Sequence, residues 1–324
     1  MSEPLLHVEG LRISFGGRRR KLVAVDGVSL AVGRREIVGL VGESGSGKST
    51  VARAVAGLIT PTAGMVRYDG RPLPARRSVA TRRSIQMVFQ DPYSSLNPRM
   101  TVRQHLAELL RVHSIVPRER VAARCAELMA LVDLPVRLLD AYPRQMSGGQ
   151  RQRVAIARAL ALAPQVLVAD EPVSALDVSV QAGIINLFAE LRDELGLSIL
   201  FIAHDLAVVR NLCDRVAVIY LGRILEQAST DQLFDSPEHP YTRGLLASVP
   251  RLDGVRGQRS AVLGDPPSPF ALPSGCRFRS RCALTEAICA EAEPALSAHS
   301  GPEHLTACHL VPNAAVTPAA AAGA

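Results

Sequence analysis

Gly42-Glu43-Ser44-Gly45-Ser46-Gly47-Lys48-Ser49-Thr50 decides how the rest of the chain is read. It fits GxxxxGK[ST], in which glycines let successive backbone N–H groups turn toward one anion at the start of a helix. Ile37-Val38-Gly39-Leu40-Val41 before it reads as a short buried strand. Thr50-Val51-Ala52-Arg53-Ala54-Val55-Ala56 after it reads as a helix that stops near Gly57. Strand, glycine-rich turn and helix form the setting in which such a loop cradles a nucleoside triphosphate. There Gly42, Ser44, Gly45 and Gly47 shape the cradle, Lys48 reaches the β- and γ-phosphates, Ser49 coordinates Mg²⁺ and Thr50 contacts the α-phosphate.

Outward from the loop, apolar runs alternate with helical stretches. Residues 5–15 and 23–32 alternate in polarity as half-exposed strands, and 65–73 read as a small strand and turn. Residues 85–90, 165–169, 198–203 and 216–219 read as short buried strands. Helical periodicity marks 101–135 as a helical insertion, and 147–162 and 178–195 as helices. Buried strands between helices predict an α/β fold with a mainly parallel sheet. Residues 253–273, rich in Gly, Pro and Ser, read as a linker. Residues 274–311 follow as a cysteine-bearing extension, and the Pro/Ala-rich stretch 312–324 as a disordered tail.

Bulk composition narrows the partners. At 324 residues the chain has room for roughly two domains. A net charge of +7 suits a phosphorylated ligand or an anionic membrane surface. The absence of Trp and the scarcity of other aromatics disfavour a base-stacking surface, so nucleic acid is not an expected partner. The arginine runs 18–20 and 76–77 read as solvated faces. No apolar run approaches about 18 residues without a charge, and Met-Ser-Glu-Pro carries no signal-peptide pattern, so a cytoplasmic location is expected.

Of six cysteines, Cys125 and Cys213 lie in apolar contexts and read as buried thiols. Cys276, Cys282, Cys289 and Cys308 cluster near the end of the chain. In a cytoplasmic protein that points to metal or redox chemistry rather than disulfides. Without a Cys-x-x-Cys pair the spacing argues against an ordinary zinc ribbon. Four converging thiolates suit a Cys₄ zinc ion or an iron–sulfur cluster, and thiols without a metal are the other reading. The nearby Arg277, Arg279 and Arg281 are candidates to offset thiolate charge.

Val166-Leu167-Val168-Ala169-Asp170-Glu171 is an apolar strand ending in two carboxylates. The first suits Mg²⁺, and the second suits taking a proton from an attacking water. Met146-Ser147-Gly148-Gly149-Gln150 opens a helix at which Ser147 is a good N-cap, and where Ser147 and Gly149 could also present donors to a phosphate. Gln90, Asp177 and His204 are weak signals singly.

Taken in order, the phosphate loop, Gln90, Ser147-Gly148-Gly149-Gln150, Asp170-Glu171, Ser174-Ala175-Leu176-Asp177 and His204 resemble the ATP-binding-cassette (ABC) ATPases over about residues 5–250. The resemblance implies a RecA-like P-loop core with an antiparallel β subdomain, a helical subdomain at about 91–162 and a nucleotide-binding domain spanning 1–252. It implies ATP and Mg²⁺, with Ser49, Gln90 and Asp170 around the metal. Glu171 is then the general base, His204 holds the γ-phosphate, and Gln90 links the site to a membrane partner. Phe15 stands where the family sets an aromatic ring, usually Tyr, against adenine. Ser147, Gly148, Gly149, Gln150 and Asp177 face a second ABC subunit.

A narrower resemblance lies in Phe89–Met100, Glu171–Gln181 and His239-Pro240-Tyr241-Thr242, which are similar to the oligopeptide/dipeptide importer ATP-binding subunits, a group that includes nickel and opine importers. It implies a motor at the cytoplasmic face of the membrane. The expected partners are permease subunits, a second cassette (identical or paralogous) and, indirectly, an external solute-binding protein. It also implies a [4Fe–4S] cluster on Cys276, Cys282, Cys289 and Cys308. Cassette ATPases of DNA repair, which separate their motifs by long coiled coils, and of translation, which carry two cassettes, fit less well. Intact Lys48 and Glu171 argue against a regulator that never turns over.

Overall fold

The computed structural model describes residues 3–16, 22–91, 95–248 and 264–311. The arginine run 18–20, residues 92–94, most of the expected linker (253–263) and the tail 312–324 lie outside the described residues.

Among the described residues the core is an eight-stranded sheet ordered β11-β12-β10-β9-β3-β8-β7-β6. Its centre is parallel: β3 (Ile37–Val41), β6 (Ile85–Val88), β7 (Val166–Asp170), β8 (Ser198–Ala203) and β9 (Arg215–Tyr220). Strand residues point alternately to opposite faces, so a strand buried on both sides must be apolar throughout. β3 meets that demand, and β7 and β8 meet it except at one end each, where Asp170 and Ser198 are buried. Ile37, Leu167, Ala169, Ile199 and Phe201 enter one core, and Val38, Leu40, Val166, Val168, Leu200 and Ile202 enter the other.

On the second face sit α1 (Lys48–Ala56) and a four-stranded antiparallel sheet, ordered β2-β1-β4-β5. Its strands are β1 (Leu6–Phe15), β2 (Leu22–Val32), β4 (Ala63–Tyr68) and β5 (Arg71–Pro72). A short helix, α2 (Val79–Ser84), leads into β6. On the first face pack the helices of the insertion, α3 (Val102–Val112) and α4 (Val121–Ala130), with α5 (Gly148–Leu160), α6 (Val178–Leu195) and α7 (Leu206–Leu212). Thr101 and Gln104 close α3 with a reciprocal capping box, and Ser147 and Gln150 do the same for α5.

The chain then adds an antiparallel strand, β10 (Arg223–Ser229), followed by α8 (Thr230–Asp235) and α9 (Pro240–Ala247). The cysteine-bearing stretch holds α10 (Ile288–Glu291), β11 (Ser297–Ala298) and β12 (Leu305–Thr306). β12 pairs with β10 through Glu226 opposite Thr306 and Gln227 opposite Leu305, so this stretch continues the main sheet. The sequence reading passed over β10 because a buried strand carrying Glu226 and Gln227 breaks the apolar rule. Glu226 is satisfied from afar: it accepts the Glu238 and His239 N–H groups and meets His304 at 2.7 Å.

Candidate nucleotide-binding site

Parallel register brings the chemistry to one edge. Val41 lies opposite Ala203, and Asp170 opposite Ile202, so β3, β8 and β7 end at the same level. The residues that follow are Gly42, His204 and Glu171. Gln90 lies two residues beyond β6. This is the carboxyl edge of a parallel sheet, where ligands of open α/β folds bind.

The loop from Gly42 to Gly47 turns tightly over that edge. A Cβ on Gly42 would lie 2.1 Å from the Ile219 carbonyl, and one on Gly47, at φ +107°, would lie 2.5 Å from that of Ala24. Glycine is therefore required at both positions. Lys48, buried at the start of α1, donates from Nζ to the carbonyls of Gly42 (2.8 Å) and Glu43 (3.0 Å) and stands 3.6 Å from the Glu171 carboxylate. Burial lowers its pKa, while Glu171 and Asp170 pull it back up. The Ser49 hydroxyl donates to Asp170 Oδ1 at 2.9 Å. Burial raises the Asp170 pKa against that bond, and a desolvated carboxylate beside a hydroxyl is a donor set that suits a hard divalent cation.

Glu171 gathers the remaining groups. Its Oε2 accepts from Gln90 Nε2 at 3.1 Å and lies 3.2 Å from His204 Nδ1. Its backbone holds φ 45°, a left-handed conformation that a non-glycine residue adopts at some cost. Its N–H donates to the Ile202 carbonyl, which fixes the turn.

A cavity of about 420 Å³ opens beside these groups, in the size range of small-molecule sites. Phe15, Ser44, Gly45, Gly47, Lys48, Ser49, Thr50, Gln90 and Glu171 line it, all named from the sequence. Leu221, Pro269 and Leu272 line it too, and sequence reasoning missed them. Pro269 and Leu272 fall inside the stretch read as a linker, where no local pattern marks a wall residue.

Ser147, Gly148, Gly149, Gln150 and Asp177 are not among the residues lining this cavity. Ser147 is exposed, and its hydroxyl accepts the Gln150 N–H within the cap. Gly149 is there for packing, since a Cβ would come within 2.4 Å of Val180. Asp177 is the exposed N-cap residue of α6.

At the other end of the chain, Cys276 and Cys289 are buried and tied by a 2.8 Å bond from the Cys276 N–H to the Cys289 carbonyl. Burial pushes the Cys276 thiol up to about 11, and Cys289, Cys308 and Cys282 add to it. Among the described residues no three His, Cys, Asp or Glu side chains close around a single metal ion. The arginines expected to offset thiolate charge are directed elsewhere: Arg277 pairs with Asp26 and Arg281 with Glu43, because both reach back toward the sheet edge. Cys125 and Cys213 are buried thiols, as expected.

Comparison with known proteins finds two family regions. Residues 25–174 match the family described as ABC transporter, and residues 225–289 match the oligopeptide/dipeptide transporter C-terminal region. A Brucella ovis protein named for peptide import ATP binding is 48% identical over 309 residues, covering 94% of this chain and 97% of its own. The chain belongs to the ABC transporter family of ATP-binding subunits. The oligopeptide transport ATP-binding protein AppF of Bacillus subtilis is 46% identical over 296 residues, 89% of each chain. Among solved structures, cbiO1 from Clostridium perfringens, part of the cbiONQ transporter complex, aligns with a TM-score of 0.65 at 30% identity, over 75% of this chain and 96% of its own. A post-hydrolysis dimer of the ATP-binding cassette MJ0796 with ADP and Pi aligns at 0.62 and 29%, over 69% and 98%.

Within this family the RecA-like core carries ATP hydrolysis coupled to transport, with Mg²⁺. As an ATP-binding subunit the cassette works with transmembrane permease partners. No helix among the described residues is long and apolar enough to cross a membrane.

Proposed function

We propose that this cassette is the motor of an importer for oligopeptides or dipeptides, seated on permease subunits at the cytoplasmic face of the membrane. The observation that carries the catalytic part is the convergence of Lys48, Gln90 and His204 on the one carboxylate of Glu171. Match to the oligopeptide/dipeptide C-terminal region and the names of the relatives support the cargo class.

In the working site the loop N–H groups and Lys48 hold the phosphates, and Phe15 stacks on the adenine. Ser49, Asp170 and Gln90 hold Mg²⁺, which neutralises charge on the phosphates. Glu171 accepts the proton of the attacking water, the role open to a carboxylate at the edge of the phosphate cradle. His204 holds the γ-phosphate. Ser147, Gly148, Gly149, Gln150 and Asp177 complete the site of a second cassette, which is consistent with the exposure of Ser147 and Asp177 away from this cavity. Closure of the pair drives the permease, and an external binding protein delivers the cargo.

We also infer that Cys276, Cys282, Cys289 and Cys308 ligate a [4Fe–4S] cluster. What supports this reading is the set of four cysteines within one short extension, the number of thiolates that a [4Fe–4S] cluster takes.

The test is reconstitution of the cassette with its permease and binding protein in liposomes. Peptide-stimulated ATP hydrolysis and peptide uptake are expected. Stimulation by a nickel complex or opine and not by peptides would overturn the cargo assignment.

A further inference from the structure

The cysteine-bearing extension reaches back to the phosphate loop and holds it at Glu43. Arg281, only 7% exposed, forms a two-pronged pair with that carboxylate, at 2.7 Å to Oε2 and 3.0 Å to Oε1. Its Nε donates to the Gly264 carbonyl, and its guanidinium lies 5.7 Å from the centre of the Tyr220 ring. A fork of this kind fixes direction as well as distance. The Glu43 N–H donates to the Tyr241 hydroxyl at 3.0 Å. Tyr241 belongs to His239-Pro240-Tyr241-Thr242 and packs with Tyr220 and Phe278, rings 4.8 and 5.3 Å away. The Glu43 carbonyl in turn accepts from Lys48 Nζ at 3.0 Å. Every polar group of Glu43 is thus engaged: side chain by Arg281, N–H by Tyr241, carbonyl by Lys48. The same extension donates from Arg277 to the Leu221 carbonyl at 2.5 Å, and Leu221, Pro269 and Leu272 wall the cavity.

We propose that Arg281 is a positioning residue of the ATP site: by holding Glu43 it sets the path of the phosphate loop and the placement of Lys48. The extension is then part of the nucleotide site. This rests on the reading that the loop binds ATP. Arg281 is not among the residues lining the cavity, so its loss acts through the loop and raises KM for ATP, while Gln90 and His204 stay in place beside Glu171.

The experiment uses the full chain and measures KM and kcat for ATP in the wild type, Arg281→Ala, Glu43→Gln and the double variant. Each single variant is expected to raise KM about tenfold, less than the roughly 100-fold that a full 1 Å misplacement can cost. The kcat is expected to stay within about threefold. The double variant is expected to be no worse than the worse single one, because both remove the same bond. Arg281→Lys keeps the charge but not the fork and should recover part of the loss. Unchanged KM in Glu43→Gln, which leaves the other Arg281 contacts intact, would overturn the proposal even if Arg281→Ala folds poorly. So would single effects that multiply in the double variant. Lys48→Ala separates the underlying reading: if it binds ATP as the wild type does, the phosphate-loop assignment fails and this proposal falls with it.

Discussion

Lys48 Nζ lies 3.6 Å from the carboxylate of Glu171. One residue follows β3 through the phosphate loop and the other follows β7, and the parallel register on β8 delivers both to the same edge. The sheet therefore sets the distance between the proposed phosphate-holding lysine and the proposed proton acceptor. Lys48→Ala is expected to lower ATP affinity at least tenfold in equilibrium binding, about 1.4 kcal/mol. Affinity equal to the wild type would remove Lys48 from the site.

Gly42 has no room for a methyl group beneath the Ile219 carbonyl. Gly42→Ala must move the loop away from the sheet edge. A loss of about 1–3 kcal/mol in stability is expected, together with loss of the thermal shift that ATP gives the wild type. A variant that keeps the full ATP-induced shift would show that the loop tolerates displacement.

His304 is buried between Glu226, at 2.7 Å, and Glu238, at 3.7 Å, and joins β12's end of the extension to β10. Its pKa is raised, first by the bond to Glu226, against burial. A raised folded-state pKa stabilises fully below the unfolded value of about 6.5 and is lost as pH rises through the folded value. Thermal stability should therefore fall as pH is taken upward from about 6.5, and His304→Gln should flatten that part of the profile. His304→Ala should cost about 3 kcal/mol, the low end for a broken buried pair, because Glu226 keeps two backbone donors. An unchanged pH profile in the His304 variant would show that the pair does not titrate in this window.

Cluster ligation has its own readout. Protein purified without oxygen should be brown and contain iron and acid-labile sulfide, and Cys289→Ser should lose the colour. Colourless, iron-free wild-type protein that retains ATP turnover would leave the four thiols without a metal.

The nucleotide site was legible because its signals are local. Gly42–Thr50 carries its own strand and helix, and Val166–Glu171 announces its carboxylates at a strand end. The parallel sheet followed from strands apolar on both faces. What stayed hidden depended on partners far along the chain. Arg281 and Glu43 are separated by 238 positions, and nothing around either one marks the pair. Arg277, Arg279 and Arg281 looked like neighbours of thiolates because they are neighbours in sequence, yet Arg277 and Arg281 point to Asp26 and Glu43. β10 was missed for the same reason, since Glu226 finds its partners in Glu238, His239 and His304.

The measurement that bears most directly on the central claim is ATP binding and hydrolysis by Glu171→Gln. The amide keeps the shape of the side chain but cannot accept a proton. Hydrolysis is expected to fall by about 10²–10⁴, the range for loss of a general base, while ATP affinity changes little. Turnover close to that of the wild type would contradict the account.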